Sequence, residues 1–285
     1  MDLEAVFETD NAFHDAASPY ADRLRELASF VTNCKLQNHS IALVTSGGTT
    51  VPLESRTVRF IDNFSSGTRG SASAEYFLEK GYAVIFLHRH KSLKPFDRHF
   101  GRLSPLDICE LDNNQLTVKE EFKNLFTKNI VKRKLYLDSN MLHFCEFVSV
   151  ADYLTLLRAC SQQLSSVGAR ALLYLAAAVS DFYIPAREMP EHKIQSSDGP
   201  MNLSLHLVPK MLLPLVKDWV PEAYVISFKL ETDISILIPK AQKALATYRH
   251  KLVIGNILET KSEVSDYQLF FYSISNMWAE VICLS

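Results

Sequence analysis

Short apolar runs alternate with amphipathic stretches along the chain, and several runs end in turn-forming residues. Leu24, Leu27 and Val31 share one helical face behind Ser18-Pro19, an N-cap with a first-turn proline, which predicts a helix from 18 to about 34. Ile41-Ala-Leu-Val44 reads as a short strand running into Thr45-Ser-Gly-Gly-Thr49, and Val58 to Ile61 as another extended piece. Ser65-Ser66-Gly67 leads into an alanine-rich helix over about 69–80, stopped by Gly81 as a left-handed cap. The small residues Ala72, Ser73 and Ala74 allow that helix to lie close on a sheet, and Ala83-Val-Ile-Phe-Leu87 supplies a buried strand.

Residues 88–110 show little periodicity and predict surface loops or short helices, followed by a helical region around 117–130. Ser149 and Asp152 form a capping-box-like start to a helix reaching about residue 163. The strongest apolar run, Leu172-Leu-Tyr-Leu-Ala-Ala-Ala-Val179, predicts a strand opening into Ser180-Asp181. Three prolines and many charges make 182–200 an expected extended, mobile loop, and Asn202-Leu-Ser-Leu-His-Leu207 alternates as a half-buried strand. A short helix near Pro209 limited by Pro214, a strand from Tyr224 to Phe228, a helix over 235–249 and a strand at Leu252-Val-Ile254 complete the series. Repeated strand–helix–strand units predict an α/β fold: a Rossmann-like, mostly parallel sheet flanked by helices, with a flap or dimerisation insertion. The expected organisation is an N-terminal arm over 1–17, one domain over 18–261 containing a flap at 182–207, and a distinct segment at 262–285.

Composition narrows the function. A formal charge of -2 gives no polycationic field, so no nucleic-acid partner is expected. No window approaches the roughly 20 apolar residues of a membrane span, and the acidic, interrupted start does not read as a secretory signal. The five cysteines are dispersed, with no CxxC or Cys/His cluster, which disfavours structural zinc and a disulfide framework and points to a reducing, cytoplasmic setting.

Gly47-Gly48 directly follows a strand, so its N–H groups are candidates for phosphate; a tight structural turn is the other reading. Neither GxGxxG nor GxxxxGK[ST] spacing is present. Asp62-Asn63-Phe64-Ser65-Ser66-Gly67 combines an amide, two hydroxyls and a glycine before a helix, with Arg59 and Arg69 nearby in sequence; a helix cap or a reactive centre at Asn63 both fit. Asp181 ends an apolar strand, where open α/β sheets bind ligands, and is otherwise a solvated terminus. Lys193, in Pro190-Glu-His-Lys-Ile-Gln195, is a candidate for neutralising phosphate charge, with Lys210 and Lys229 as weaker ones. Phe228 is core or a stacking surface, and Asn256 a turn residue or a reader of base or sugar.

These blocks in this order resemble eukaryotic phosphopantothenoylcysteine synthetase, the phosphopantothenate–cysteine ligase family. The resemblance is carried by Leu43-Val-Thr-Ser-Gly-Gly-Thr49, Val58-Arg-Phe-Ile-Asp-Asn-Phe-Ser-Ser-Gly67, Ala176-Ala-Ala-Val-Ser-Asp-Phe182, Met189-Pro-Glu-His-Lys-Ile-Gln-Ser196, Ile226-Ser-Phe-Lys-Leu-Glu-Thr-Asp233 and Asn256-Ile-Leu-Glu259. It implies a homodimeric ligase that uses ATP and Mg²⁺ to adenylate 4′-phosphopantothenate, then forms an amide with L-cysteine and releases AMP. It implies Asn63 and Lys193 at the reacting intermediate, and Gly47, Gly48, Ser65, Ser66 and Gly67 around phosphates. Ala177, Asp181, Phe228 and Asn256 fall in its nucleotide-site blocks; no metal ligand is assigned.

After about Glu259 the resemblance breaks, and the family's strand hairpin, charged segment and final helix are expected to be mostly absent, with lower stability or stronger self-association. Two competing readings are a catalytically impaired, ligase-derived nucleotide-binding or regulatory protein, and an NAD(P)-dependent oxidoreductase. The missing glycine fingerprint counts against the second.

Overall fold

The computed structural model describes residues 20–101, 103–112, 114–257, 268–273 and 281–283, the last two segments as backbone alone. The expected arm over 1–17, the Ser18-Pro19 cap and the remainder of 262–285 lie outside the described residues. Helix α1 (Ala21–Leu36) precedes β1 (Ile41–Ser46), a ribbon of β2 (Thr50–Pro52) and β3 (Phe60–Asp62), α2 (Thr68–Glu79) and β4 (Ala83–Arg89). A hairpin of β5 (Cys109–Asp112) and β6 (Gln115–Val118) and then α3 (Glu120–Asp138) lead to β7 (Leu142–Phe147), α4 (Val150–Ser165) and β8 (Ala171–Leu175). A second ribbon, β9 (Phe182–Tyr183) with β10 (His206–Leu207), comes before β11 (Tyr224–Glu231), α5 (Ile234–Tyr248), β12 (Leu252–Ile257), β13 (Gln268–Ser273) and β14 (Val281–Cys283).

Eight strands form one sheet in the order β14-β13-β12-β11-β8-β1-β4-β7. Every pairing from β12 across to β7 is parallel, while β13 and β14 add antiparallel strands at one edge. The alternation within β1 shows how the layers form. Ile41 and Leu43 pack with Leu27, Phe30 and Val31 of α1 and Leu156 and Leu157 of α4. Ala42 and Val44 pack on the opposite face with Ala74 and Leu78 of α2. Such double-sided burial is why the central strands read as unbroken apolar runs.

Several boundaries differ from the expectation. The apolar run at 172–179 is strand only to Leu175, because the chain then bends to follow the end of β1. The alternating 202–207 segment is paired only at His206 and Leu207, against Tyr183 and Phe182. Past β12 the sheet continues, since β13 pairs with β12 and β14 with β13, both antiparallel; the expected absence of a charged segment and final helix falls mostly outside the described residues. The loop expected to be mobile at 182–200 is fastened across 190–194. Ser55 N–H donates to Pro190 O at 2.9 Å and Arg56 N–H to Glu191 O at 3.0 Å.

Candidate active site

Strand order reverses between β1 and β8, since the chain builds β4 and β7 on one side of β1 and returns through α4 to place β8 on the other. Turns leaving the carboxyl ends of two such strands diverge and open a crevice. Here 45–49 and 176–180 instead stay side by side just past the strand ends and form the floor of the switch point. Ala177 N–H donates to Thr45 Oγ1 at 3.1 Å, Ala178 N–H to Gly47 O at 2.8 Å, Thr49 N–H to Ala178 O at 3.0 Å and Ser180 N–H to Thr49 Oγ1 at 3.0 Å.

The two glycines shape the floor of this crevice. Gly47 is left-handed at φ +85°, and a Cβ there would lie 2.7 Å from the Arg89 Cβ. A Cβ on Gly48 would lie 1.5 Å from the Asn63 carbonyl oxygen, so only glycine lets the Asn63 turn rest on the strand end. Both are buried. Asn63 N–H donates to Thr49 O at 3.1 Å, and Asp62 beside it accepts from Arg89 Nη1 at 2.5 Å.

Past Ser65, the N-terminus of α2 begins at Gly67, left-handed at φ 86°. Its first turn holds no acidic residue and no side-chain cap, which leaves its N–H groups and positive dipole end for an anion. Ser66 Oγ is 2.9 Å from Thr68 Oγ1. A contact the sequence reading missed seats this helix: a Cβ on Gly70 would lie 2.4 Å from Ser46 Oγ. The Ser46 hydroxyl donates to Gly67 O at 3.1 Å.

Arg69 gathers the neighbouring strands. Its guanidinium lies 5.1 Å from the centroid of the Phe228 ring and donates from Nη1 to Asn256 Oδ1 at 3.3 Å. Phe228 meets Tyr174 edge-on at 4.9 Å. Thus Phe228 on β11 and Asn256 on β12 are joined through one cation that sequence reading named only as a nearby charge. An arginine in the first turn of a helix opposes the dipole, so its place there is better explained by what it faces.

Asp181 stands at the base of the β9–β10 ribbon, where it accepts from Lys210 Nζ at 2.7 Å and its carbonyl accepts from Val208 N–H at 2.9 Å. Lys193 is exposed. Its neighbour Ile194 is held at Arg59, just before β3, and Asn63 lies four positions on, about 13 Å along the extended chain.

On the other side of β11 from Phe228, Ser227 Oγ lies 2.7 Å from Nε2 of His250, which is 1 % exposed. Burial, and then the charge of Lys229, lower the His250 pKa from 6.5 to about 4, so the folded ring is neutral. The unfolded chain takes up the proton at higher pH than the folded one. Stability is therefore complete above about 6.5 and falls as pH drops toward 4, by about 2 kcal/mol at pH 5. Urea unfolding at pH 7 and pH 5 is expected to show this loss in the native chain and a smaller one in His250→Asn; equal losses would contradict the assignment.

The family model described as DNA/pantothenate metabolism flavoprotein C-terminal domain matches residues 36–101 and 136–271, leaving the β5–β6 hairpin and most of α3 outside. The phosphopantothenate–cysteine ligase of Mus musculus is 48% identical over 240 residues, covering 82% of this chain and 77% of that protein. The chain belongs to the phosphopantothenate–cysteine ligase family. The ligase of Homo sapiens is 47% identical over 250 residues, covering 85% of this chain and 80% of that one. The ligase CAB2 of Saccharomyces cerevisiae is 43% identical over 265 residues, covering 85% and 70%. A solved structure of a histidine-to-alanine variant of Cab2 in complex with phosphopantothenate-cysteine matches with a TM-score of 0.87 at 40% identity, over 98% of this chain and 91% of that one. A Streptococcus pneumoniae DNA/pantothenate metabolism flavoprotein structure, at 22% identity and a TM-score of 0.59, shares the fold. Membership in the ligase family sets aside the nicotinamide oxidoreductase reading.

Proposed function

We propose that this chain condenses 4′-phosphopantothenate with L-cysteine through an acyl-adenylate, forming 4′-phosphopantothenoylcysteine, AMP and pyrophosphate. The observation that carries the reading is the match, over nearly the whole chain, to the Cab2 variant in complex with phosphopantothenate-cysteine. A carboxylate resists amine attack because its oxygen is a poor leaving group. Attack of that oxygen on the α-phosphorus of ATP expels pyrophosphate and gives a mixed anhydride, from which AMP leaves when the cysteine amine adds to the acyl carbon.

The crevice supplies parts suited to each task. Gly47, Gly48, Ser65, Ser66, Gly67 and the uncapped start of α2 suit phosphate oxygens. Phe228 and Asn256, drawn together by Arg69, suit the base and sugar, with Ala177 and Asp181 on the β8 side. Asn63, seated on Gly48, would donate to the acyl oxygen as charge develops, and Lys193 would meet the phosphate charge of the intermediate. Mg²⁺ would enter with the triphosphate as the substrate complex, the usual way this ion is held by phosphates and water.

A homodimer is part of the proposal. Met201, Leu203, Leu205 and Leu207, the apolar half of a strict alternation, are 47%, 39%, 36% and 70% exposed. A strand pattern with its apolar side exposed suits pairing with a second copy. A cytoplasmic location accords with the dispersed cysteines and with the reduced substrate thiol.

The first half-reaction tests the reading alone. With 4′-phosphopantothenate and MgATP but no cysteine, the chain is expected to release pyrophosphate in a burst and retain the acyl-adenylate. Binding of ATP without pyrophosphate release would instead favour a nucleotide-binding, non-catalytic relative.

A further inference from the structure

The residue after Lys193 has both of its backbone groups engaged by one side-chain pair. Ile194 N–H approaches Glu54 Oε1 at 3.5 Å, and Ile194 O accepts from Arg59 Nη2 at 2.5 Å. The pair is itself closed: Arg59 Nε donates to Glu54 Oε1 at 3.0 Å, while Glu54 Oε2 accepts from Arg59 N–H at 3.0 Å and Val58 N–H at 3.3 Å. The Glu54 side chain is 0% exposed. Burial alone would raise its pKa, and the N–H groups of Arg59, Val58 and Ile194, with the Arg59 charge, more than reverse this, so the carboxyl is lowered and ionised.

Burying a carboxylate is a costly way to gain stability even with an arginine beside it, and the Arg59 side chain stays 38% exposed. What this pair provides is direction. Its donors and acceptor fix where residue 194 lies, and the flanking bonds from Ser55 and Arg56 to Pro190 and Glu191 keep the whole segment in register with the β2–β3 ribbon. The ribbon in turn ends at Asn63. The two candidate reactive residues are thereby mounted on one piece, with the backbone next to Lys193 held and its side chain exposed.

We infer that Glu54 is a positioning residue for the ligase reaction, fastening the Lys193 segment to the ribbon that carries Asn63. The inference rests on the reading above, in which Lys193 meets the activated intermediate. Glu54→Gln keeps the length but turns an NH₂ group toward N–H donors; Glu54→Asp keeps the charge. Two readouts on the full chain are needed: hydrogen exchange of a peptide spanning 190–195, and single-turnover rates of adenylate formation and of transfer to cysteine.

Glu54→Gln is expected to raise exchange in that peptide by about tenfold. It should also slow transfer about as much as Lys193→Ala does, with Glu54→Asp recovering part of both. In the Glu54→Gln background, Lys193→Ala should add little, because the lysine is already misplaced. Unchanged exchange, or losses that multiply in the double variant, would overturn the inference. If Lys193→Ala alone leaves transfer normal, the site reading fails, and the exchange result still decides whether Glu54 holds the segment. Should Glu54→Gln not fold, Arg59→Lys keeps the charge but removes the fork that bonds Glu54 and Ile194 O together; the same loosening and slowing are expected, and native behaviour of that variant would refute the proposal.

Discussion

Replacing Gly48 by alanine is expected to lower the ligase rate by about a hundredfold or more and stability by about 3 kcal/mol. The added Cβ would lie 1.5 Å from the Asn63 carbonyl oxygen, and the atom in the way belongs to backbone, not to a side chain that can swing aside. The turn carrying Asn63 must therefore lift from the end of β1, breaking the Asn63 N–H to Thr49 O bond. Displacing a reacting group by about 1 Å is enough for a hundredfold loss. Thermal unfolding and steady-state kinetics on Gly48→Ala check both effects, and near-native values for both would show that the close approach has no role in the site.

Asn63→Ala should act on chemistry and leave the fold. Its side chain makes no hydrogen bond among the described residues, so truncation removes no structural partner, whereas loss of a donor aimed at developing charge costs about 10²–10³ in rate. Transfer from the acyl-adenylate to cysteine is expected to fall by that factor while ATP affinity stays native, because Arg69, Phe228 and Asn256 are untouched. Rapid quenching with isotope-labelled 4′-phosphopantothenate resolves the steps. Normal transfer, or a loss confined to ATP binding, would remove Asn63 from the reacting centre.

How far the sequence disclosed this arrangement depended on what holds each part. The central strands β1, β4 and β11 are buried and helix-flanked, and their apolar runs announced them. The Ser149–Asp152 capping box is local and forms as read, with Asp152 N–H on Ser149 Oγ at 3.1 Å and Ser149 N–H on Asp152 Oδ2 at 2.8 Å. Strands β2, β5, β6, β7 and β9 carry no clear period in two to six residues, and β2, β7 and β9 pair with segments far along the chain or across a long loop. Polarity made 182–200 look loose, yet its backbone groups at 190, 191 and 194 end on the 54–59 turn, which no local pattern reveals.

The same division holds at the site. Gly47 and Gly48 directly follow β1, where a strand-end reading puts them, because a switch point is a property of topology. Gly70 and Ser46 escaped notice, since their importance is a single approach of α2 to β1. Glu54 carries no motif; only its burial and partners mark it. The backbone beside Lys193 is held by Glu54 and Arg59, which the polar sequence around it does not disclose.

The central claim is adenylate-forming ligation, and the products of a complete reaction test it most directly. Folded chain supplied with 4′-phosphopantothenate, L-cysteine, ATP and Mg²⁺ should yield AMP, pyrophosphate and 4′-phosphopantothenoylcysteine in equal amounts, with the new bond at the cysteine nitrogen, as read by mass spectrometry. Release of ADP and orthophosphate, or folded protein that binds ATP and forms no amide, would contradict the account.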